Sequence, residues 1–148
     1  MKLGFIGGGK MAEAILYGVL SGSLAGPHDI VVGEPVPARR DYLTKQFGVY
    51  VVSDNVESIV GADLVVFAVK PQDLGSVMGQ LKGRLKPDQA ALSIVAGAKI
   101  STLAQGLGHP LVIRVMPNTP AQIGSGMSLW TCSNEVEEPT RTLTKSVL

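Results

Sequence analysis

Gly7, Gly9 and Ala12 stand at the spacing G-x-G-x-x-A in the segment Phe5-Ile6-Gly7-Gly8-Gly9-Lys10-Met11-Ala12. Residues of these types at this spacing suit a pyrophosphate. The first glycine permits a tight turn out of a strand, and the second has no Cβ to block an approaching phosphate. The small third residue lets the following helix pack closely on the strand. Backbone N–H groups at the start of that helix face the anion, where the helix dipole favours negative charge. Glycine-rich turns are common, so the reading rests on context. This one follows an apolar strand, opens a helix and lies in a βαβ unit that closes at Glu34. The expected ligand is a nicotinamide dinucleotide, NAD or NADP.

Glu34 ends the second expected strand, about where an acid binds the adenosine ribose hydroxyls. A carboxylate there accepts two hydroxyl hydrogen bonds and repels a 2′-phosphate, which favours NAD. A solvated residue near a helix start is an equally good reading. Arg39 and Arg40 follow; they read as a solvated helix face in preference to a clamp on a 2′-phosphate. Three later strands end in loops that face the same way: Ala68-Val69-Lys70-Pro71-Gln72, Ala96-Gly97, and Met116-Pro117-Asn118-Thr119-Pro120. Pro71 forces Lys70 out of helical geometry. Ala96 and Gly97 are small enough for a flat ring to approach the backbone, and Asn118 and Thr119 offer partners for a carboxamide. Nothing marks Lys70 as a buried Schiff-base lysine. His28 and His109, beside prolines, read as surface residues, and Trp130 and Cys132 as packing in the last strand. No grouping of His, Asp, Glu and Cys has metal-ligand spacing, and no Ser-His-Asp arrangement is apparent.

The elements that must position these residues alternate regularly. Strands are expected over Lys2–Ile6, Ile30–Val32, Val49–Val52, Leu64–Val69, Ala90–Val95, Leu111–Met116 and Met127–Thr131. Leu64–Val69 is almost uniformly apolar, as a strand covered on both faces should be. Helices are expected over Lys10–Ser21, from Ala38 to a stop at Gly48, over Asn55–Val60, Gln72–Leu81, Ser101–Leu107 with a serine cap, and Glu137–Leu148 with Pro139 in its first turn. Strands alternating with helices predict an α/β fold with a doubly wound, mostly parallel sheet of Rossmann type. Residues 1–148 read as one NAD(P)-binding domain. The final helix runs to Leu148 without a visible cap, which suggests a chain cut at a domain boundary.

Composition narrows the partners. The 148 residues are 45% hydrophobic and 17% charged, enough to bury a core and incompatible with disorder. A net charge of +1 with no basic tract argues against nucleic acid or an anionic membrane as main partner. The single cysteine excludes an internal disulfide. No apolar run has the length of a signal peptide core or a membrane helix, so a soluble, cytoplasmic protein is expected.

Taken together, these segments resemble the N-terminal domain of the pyrroline-5-carboxylate reductases. The resemblance is carried by Gly4-Phe5-Ile6-Gly7-Gly8-Gly9-Lys10-Met11-Ala12, Ala62-Asp63-Leu64-Val65-Val66-Phe67-Ala68-Val69-Lys70-Pro71-Gln72, Ser93-Ile94-Val95-Ala96-Gly97 and Arg114-Val115-Met116-Pro117-Asn118-Thr119-Pro120-Ala121. They occur in family order and cover nearly the whole chain. The resemblance implies reduction of 1-pyrroline-5-carboxylate to L-proline by NADPH or NADH, in proline biosynthesis. It further implies that Gly7, Gly9, Lys10, Met11 and Ala12 line the pyrophosphate turn and that Asn55 lies near the adenosine ribose. Ala68, Val69, Lys70 and Pro71 would run alongside the cofactor, with Ala96, Gly97 and Asn118 at its nicotinamide end. Family members that favour NADPH tend to carry a small polar residue where Glu34 stands, which leaves the preference between NAD and NADP open.

The family continues into a helical C-terminal domain that forms the dimer and holds most substrate-binding groups, and that domain is absent before Leu148. The chain is accordingly expected to hold the cofactor half of a site, with no catalytic residue of its own and little turnover alone. Homo-oligomerisation and binding of the cyclic imine are expected only with the second domain. Two other readings stand beside this one: a stand-alone NAD(P)-binding regulatory module, and a β-hydroxyacid dehydrogenase-like oxidoreductase, which leaves Met-Pro-Asn-Thr-Pro unaccounted for.

Overall fold

Strand directions and order follow from where the chain places its apolar runs. The computed structural model describes residues 1–117 and 128–148. Its strands are β1 (Leu3–Ile6), β2 (Ile30–Gly33), β3 (Tyr50–Val52), β4 (Leu64–Phe67), β5 (Ala90–Ser93), β6 (Val112–Pro117) and β7 (Ser128–Cys132). The helices are α1 (Lys10–Ser21), α2 (Pro37–Phe47), α3 (Asn55–Ser58), α4 (Leu74–Leu81), α5 (Ile100–Leu107) and α6 (Glu138–Val147). The sheet order is β3-β2-β1-β4-β5-β6-β7, parallel throughout except for β7, which pairs antiparallel with β6. This is the doubly wound arrangement the alternation predicts. The order reverses between β1 and β4, and beyond the carboxyl ends of those two strands lies the crevice where such sheets bind ligands.

The two-residue period of each strand sorts its side chains between two cores. Leu3 and Phe5 of β1, Leu64 and Val66 of β4, and Leu92 of β5 face one side, where Ala12, Leu16 and Val19 of α1, Leu43 of α2 and Val147 of α6 cover them. Ile6, Val65, Phe67, Ala91 and Val112 face the other, under Leu74, Val77 and Leu81 of α4 and Leu103 and Leu107 of α5. Every residue of β1, β4 and β5 is buried. These central strands therefore show no alternation of apolar and polar residues, Ser93 being the one polar residue among the three, because both of their faces are covered.

Helix ends match the sequence reading closely, apart from α3, which stops at Ser58 rather than Val60, and the starts of α4 and α5. α1 spans the residues expected, and Gly48 stops α2 in the left-handed conformation at φ +70°. Pro71–Asp73 forms a tight 3-10 turn ahead of α4, so the regular helix begins only at Leu74. Ser101 does not cap α5: the helix starts at Ile100, its cap position is Lys99, and no side chain caps it. Ser101 is thus one residue inside the helix and solvent-exposed, too late to reach the first-turn N–H groups. Trp130 and Cys132 are partly buried against the first core, as expected of packing residues in β7.

His109 also corrects the sequence reading. It is 6% exposed, not on the surface. Its Nε2 meets the Gln89 carbonyl, while the Gln89 side chain donates to the carbonyls of Ile59 (2.6 Å) and Ala62 (2.8 Å) and accepts from the Lys86 N–H (2.8 Å). Three loops at the amino-terminal edge of the sheet are joined in this way. A histidine beside a proline looked loop-like, but the polar partners that make its burial possible are distant in sequence. His28, by contrast, is exposed, its ring 5.6 Å from that of Tyr50.

Candidate functional site

Backbone hydrogen bonds join the carboxyl ends of four strands, β1 to β4, around the glycine turn. Gly7 N–H donates to the Gly33 carbonyl at 2.8 Å, Ala68 N–H to Ile6 at 2.8 Å, and Glu34 N–H to Val52 at 2.9 Å. Gly7 has φ +93°, and a Cβ on it would lie 2.7 Å from the Ala68 carbonyl oxygen. No other residue type fits that place without strain. Gly8 is packed as tightly, since its Cβ would meet a Leu43 methyl at 2.5 Å. Gly9 differs from both: nothing lies within 4 Å of its Cβ position. Two glycines serve the protein's own packing, then, and the third leaves space on the ligand side. α1 begins directly after it, its first helical bond running from Glu13 N–H to the Gly9 carbonyl. Ala12 is fully buried where α1 meets the sheet.

Around this turn lies a cavity of about 380 Å³, within the range of small-molecule sites. Its walls are Gly7, Gly8 and Gly9, then Glu34, Pro35 and Val36 after β2, Asn55 at the start of α3, Ala68, Val69 and Lys70 after β4, and Asp73 and Val77 beneath them. Of the residues expected at a site, the structure brings Gly7, Gly9, Glu34, Asn55, Ala68, Val69 and Lys70 together here. Lys10, Met11 and Ala12 continue from the turn into α1. Pro71 is exposed just outside the cavity wall. Ala96 and Gly97 are exposed beyond β5, Gly97 with φ +75°. Asn118 lies outside the described residues, as does most of its loop. Lys70 is exposed, which agrees with its not being a Schiff-base lysine.

Four cavity residues beyond Gly8 escaped the sequence reading: Pro35, Val36, Asp73 and Val77. Asp73 closes the tight turn ahead of α4 and Val77 lies one turn into that helix, so the turn brings both to the wall. A larger hollow of about 630 Å³ opens among Tyr17, Ser21, Gln46 and Phe47, at the far ends of α1 and α2. None of its lining residues is charged, and it lies away from the carboxyl ends of the strands. Size is a poorer guide here than position in the sheet.

The electrostatics centre on Glu34. Its Asn55 neighbour donates through Nδ2 to Gln80 Oε1 at 3.0 Å, which fixes the amide at the cavity edge. Burial pushes the Glu34 carboxyl above the ordinary carboxylate range. A hydrogen bond from the Gly8 N–H and the charges of Arg39 and Arg40 offset only part of that. The two arginines correct the sequence reading, because neither is a solvated face. Arg39 donates through Nε to the Gly8 carbonyl and pairs through Nη2 with Glu13 Oε2 at 2.7 Å, each side chain 21% exposed. Arg40 donates through Nη1 to the carbonyls of Glu34 (3.0 Å) and Pro35 (2.8 Å). A helix periodicity that puts both outward from the core also aims them back at the turn, because α2 lies beside α1.

Among the described residues, no group of His, Cys, Asp and Glu could hold a metal ion. No helix among them is long and apolar enough to cross a membrane.

Comparison with known proteins agrees with this geometry. The family described as NADP oxidoreductase coenzyme F420-dependent matches residues 2–97. A pyrroline-5-carboxylate reductase of a Synechocystis species is 42% identical over 139 residues, covering 94% of this chain and 51% of the relative. Among solved structures, a pyrroline-5-carboxylate reductase from Coxiella burnetii is 29% identical with a TM-score of 0.93, covering 99% of this chain and 54% of that one. The pyrroline carboxylate reductase of Plasmodium falciparum, solved with NADP bound, is 27% identical with a TM-score of 0.86, covering 99% and 53%. The chain thus spans about half the length of the relatives it matches.

Proposed function

The chain belongs to the family described as NADP oxidoreductase coenzyme F420-dependent, and from that footing we propose that residues 1–148 are the NAD(P)-binding domain of a pyrroline-5-carboxylate reductase. The observation that carries the reading is the cavity at the β1/β4 switch point, walled by a glycine turn whose first two glycines are packed and whose last one is open. A pyrophosphate fits that opening, since Gly9 leaves the space a Cβ would fill and the positive end of α1 follows it. Gly7, Gly9, Lys10, Met11 and Ala12 would hold the pyrophosphate, and Glu34 and Asn55 the adenosine ribose. Ala68, Val69, Lys70 and Pro71 would flank the cofactor, and Ala96, Gly97 and Asn118 would lie toward its nicotinamide.

When bound, the reduced dinucleotide supplies a hydride to the C=N carbon of a cyclic imine. A protonated imine is already electrophilic, so this chain's residues contribute orientation and exclusion of water, and none acts as acid or base. Groups that bind the substrate, the contacts of a homo-oligomer and a cytoplasmic setting belong to this reading of the whole enzyme. The proposal is tested by calorimetric titration of this chain with NADH and with NADPH. Saturable binding of at least one is expected; binding of neither would overturn it.

The raised Glu34 carboxyl has a pH consequence. An ionised Glu34 repels a 2′-phosphate, and that repulsion fades as pH falls through a pKa lying above the ordinary carboxylate range. The ratio of the NADPH to the NADH dissociation constant is therefore expected to fall on acidification. Part of any fall comes from the 2′-phosphate itself, which takes up a proton near about pH 6. Titrating Glu34→Gln in parallel isolates the carboxylate: the fall should be smaller in the variant, and equal falls would reject the assignment.

A further inference from the structure

Arg39 is held from three sides. Its Nη2 pairs with Glu13 Oε2 at 2.7 Å, its Nε donates to the Gly8 carbonyl, and its guanidinium carbon sits 4.7 Å from the centre of the Tyr42 ring. Arg39 and Tyr42 are one turn apart on α2, and Glu13 stands in the first turn of α1. Glu13 uses both oxygens in this contact, since Tyr42 Oη donates to its Oε1 at 2.8 Å. Lys10 Nζ approaches the same carboxylate at 3.8 Å from a mostly exposed position. Burial pushes the Glu13 carboxyl up, but the hydrogen bonds from Arg39 and Tyr42 and the charges of Arg39 and Lys10 outweigh it and hold the group below its ordinary range. Glu13 is therefore ionised at neutral pH, where the contact with Arg39 is closed.

The contact occupies the cation best placed to serve the adenosine end of the cavity. Arg39 and Glu34 are near enough for the arginine's charge to act on the carboxylate. A guanidinium recognises a phosphate through paired N–H donors and an uncompensated positive charge. Here Glu13 cancels the charge, and Glu13 and Gly8 together take the Nε/Nη2 edge. Arg40, the other candidate, has its Nη1 fixed on the Glu34 and Pro35 carbonyls.

We infer that Glu13 is a specificity-determining positioning residue: by holding Arg39 on the glycine turn it withholds a guanidinium from the adenosine 2′ position and disfavours a 2′-phosphorylated dinucleotide. This rests on the dinucleotide reading of the cavity. Neutralising Glu13 leaves the turn its Arg39–Gly8 bond while restoring a net positive charge next to the ribose subsite. The same arginine then serves as a phosphate ligand.

The test is to titrate the wild-type chain, Glu13→Gln and Glu13→Gln/Arg39→Gln with NADH and with NADPH. In Glu13→Gln the ratio of the NADPH to the NADH dissociation constant is expected to fall about tenfold, which corresponds to about 1.4 kcal/mol. The double variant should return the ratio to near its wild-type value, because the gain runs through Arg39. Merely loosening the turn would weaken both dinucleotides alike and leave the ratio unmoved. Should Glu13→Gln fail to fold, Glu13→Ala, which removes the same charge, is expected to move the ratio the same way. An unchanged ratio with NADH still bound overturns the inference and leaves the cofactor site standing. A wild-type chain that binds neither dinucleotide overturns both.

Discussion

Gly7→Ala is expected to destabilise the fold and to abolish dinucleotide binding together. The new methyl would lie 2.7 Å from the Ala68 carbonyl oxygen and 3.2 Å from a Val69 methyl, at a backbone φ of +93°. Forcing a residue with a Cβ into that conformation alone costs about 1–3 kcal/mol, before the overlap with Ala68 is relieved. Relief means prising apart the ends of β1 and β4, the same two strands whose separation defines the cavity. Gly7 N–H would also be drawn from the Gly33 carbonyl, loosening β2 and with it Glu34. A fall in melting temperature of about 5–10 °C should accompany at least about a 100-fold loss of NADH or NADPH affinity. Thermal melts and calorimetry on the same preparation check it; retention of both properties would show that the turn adapts, contrary to its packing.

Gly9→Val is expected to separate those two effects. Nothing lies within 4 Å of a Cβ at Gly9, and its backbone, at φ −78° and ψ −167°, is extended and open to any residue. Loss of glycine at a helix cap costs about 1 kcal/mol or less, so the melting temperature should change little. The branched side chain would nevertheless fill the volume left for a pyrophosphate and shield the start of α1 from it. Affinity for either dinucleotide is expected to drop about 100-fold or more in a chain that melts almost normally. Unimpaired binding would mean that the phosphates do not approach Gly9, and the site would have to be redrawn around the Glu34 and Asp73 side of the cavity.

These two glycines also mark how far the sequence could be read. The spacing of Gly7, Gly9 and Ala12 locates the turn, and the apolar run at Leu64–Val69 locates a strand covered on both faces, which the structure forms over Leu64–Phe67. Both signals are local. What stayed hidden depends on which distant segments meet. Nothing near Arg39 in sequence announces Glu13 or the Gly8 carbonyl, which become its partners only when α2 lies along α1. The solvated face expected of Arg39 and Arg40 is what helix periodicity gives when the neighbouring helix is unknown. Ser101 reads as a cap because serine before an apolar run suits one, whereas the helix begins a residue earlier at Ile100. Asp73 and Val77 enter the cavity wall because Pro71–Asp73 turns tightly before α4, a detail no spacing revealed.

The buried contact between His109 and Gln89 fixes where a proton sits. A backbone carbonyl has nothing to donate, so His109 Nε2 must carry the hydrogen in that bond. Shut away from solvent at the edge of the sheet opposite the glycine turn, that imidazole proton is expected to exchange slowly with water; a proton NMR spectrum checks it, and a resonance lost to rapid exchange would contradict it. The molecule thus contains a spectroscopic beacon for the integrity of its scaffold, one that leaves the ligand-binding edge untouched while that edge is titrated or altered.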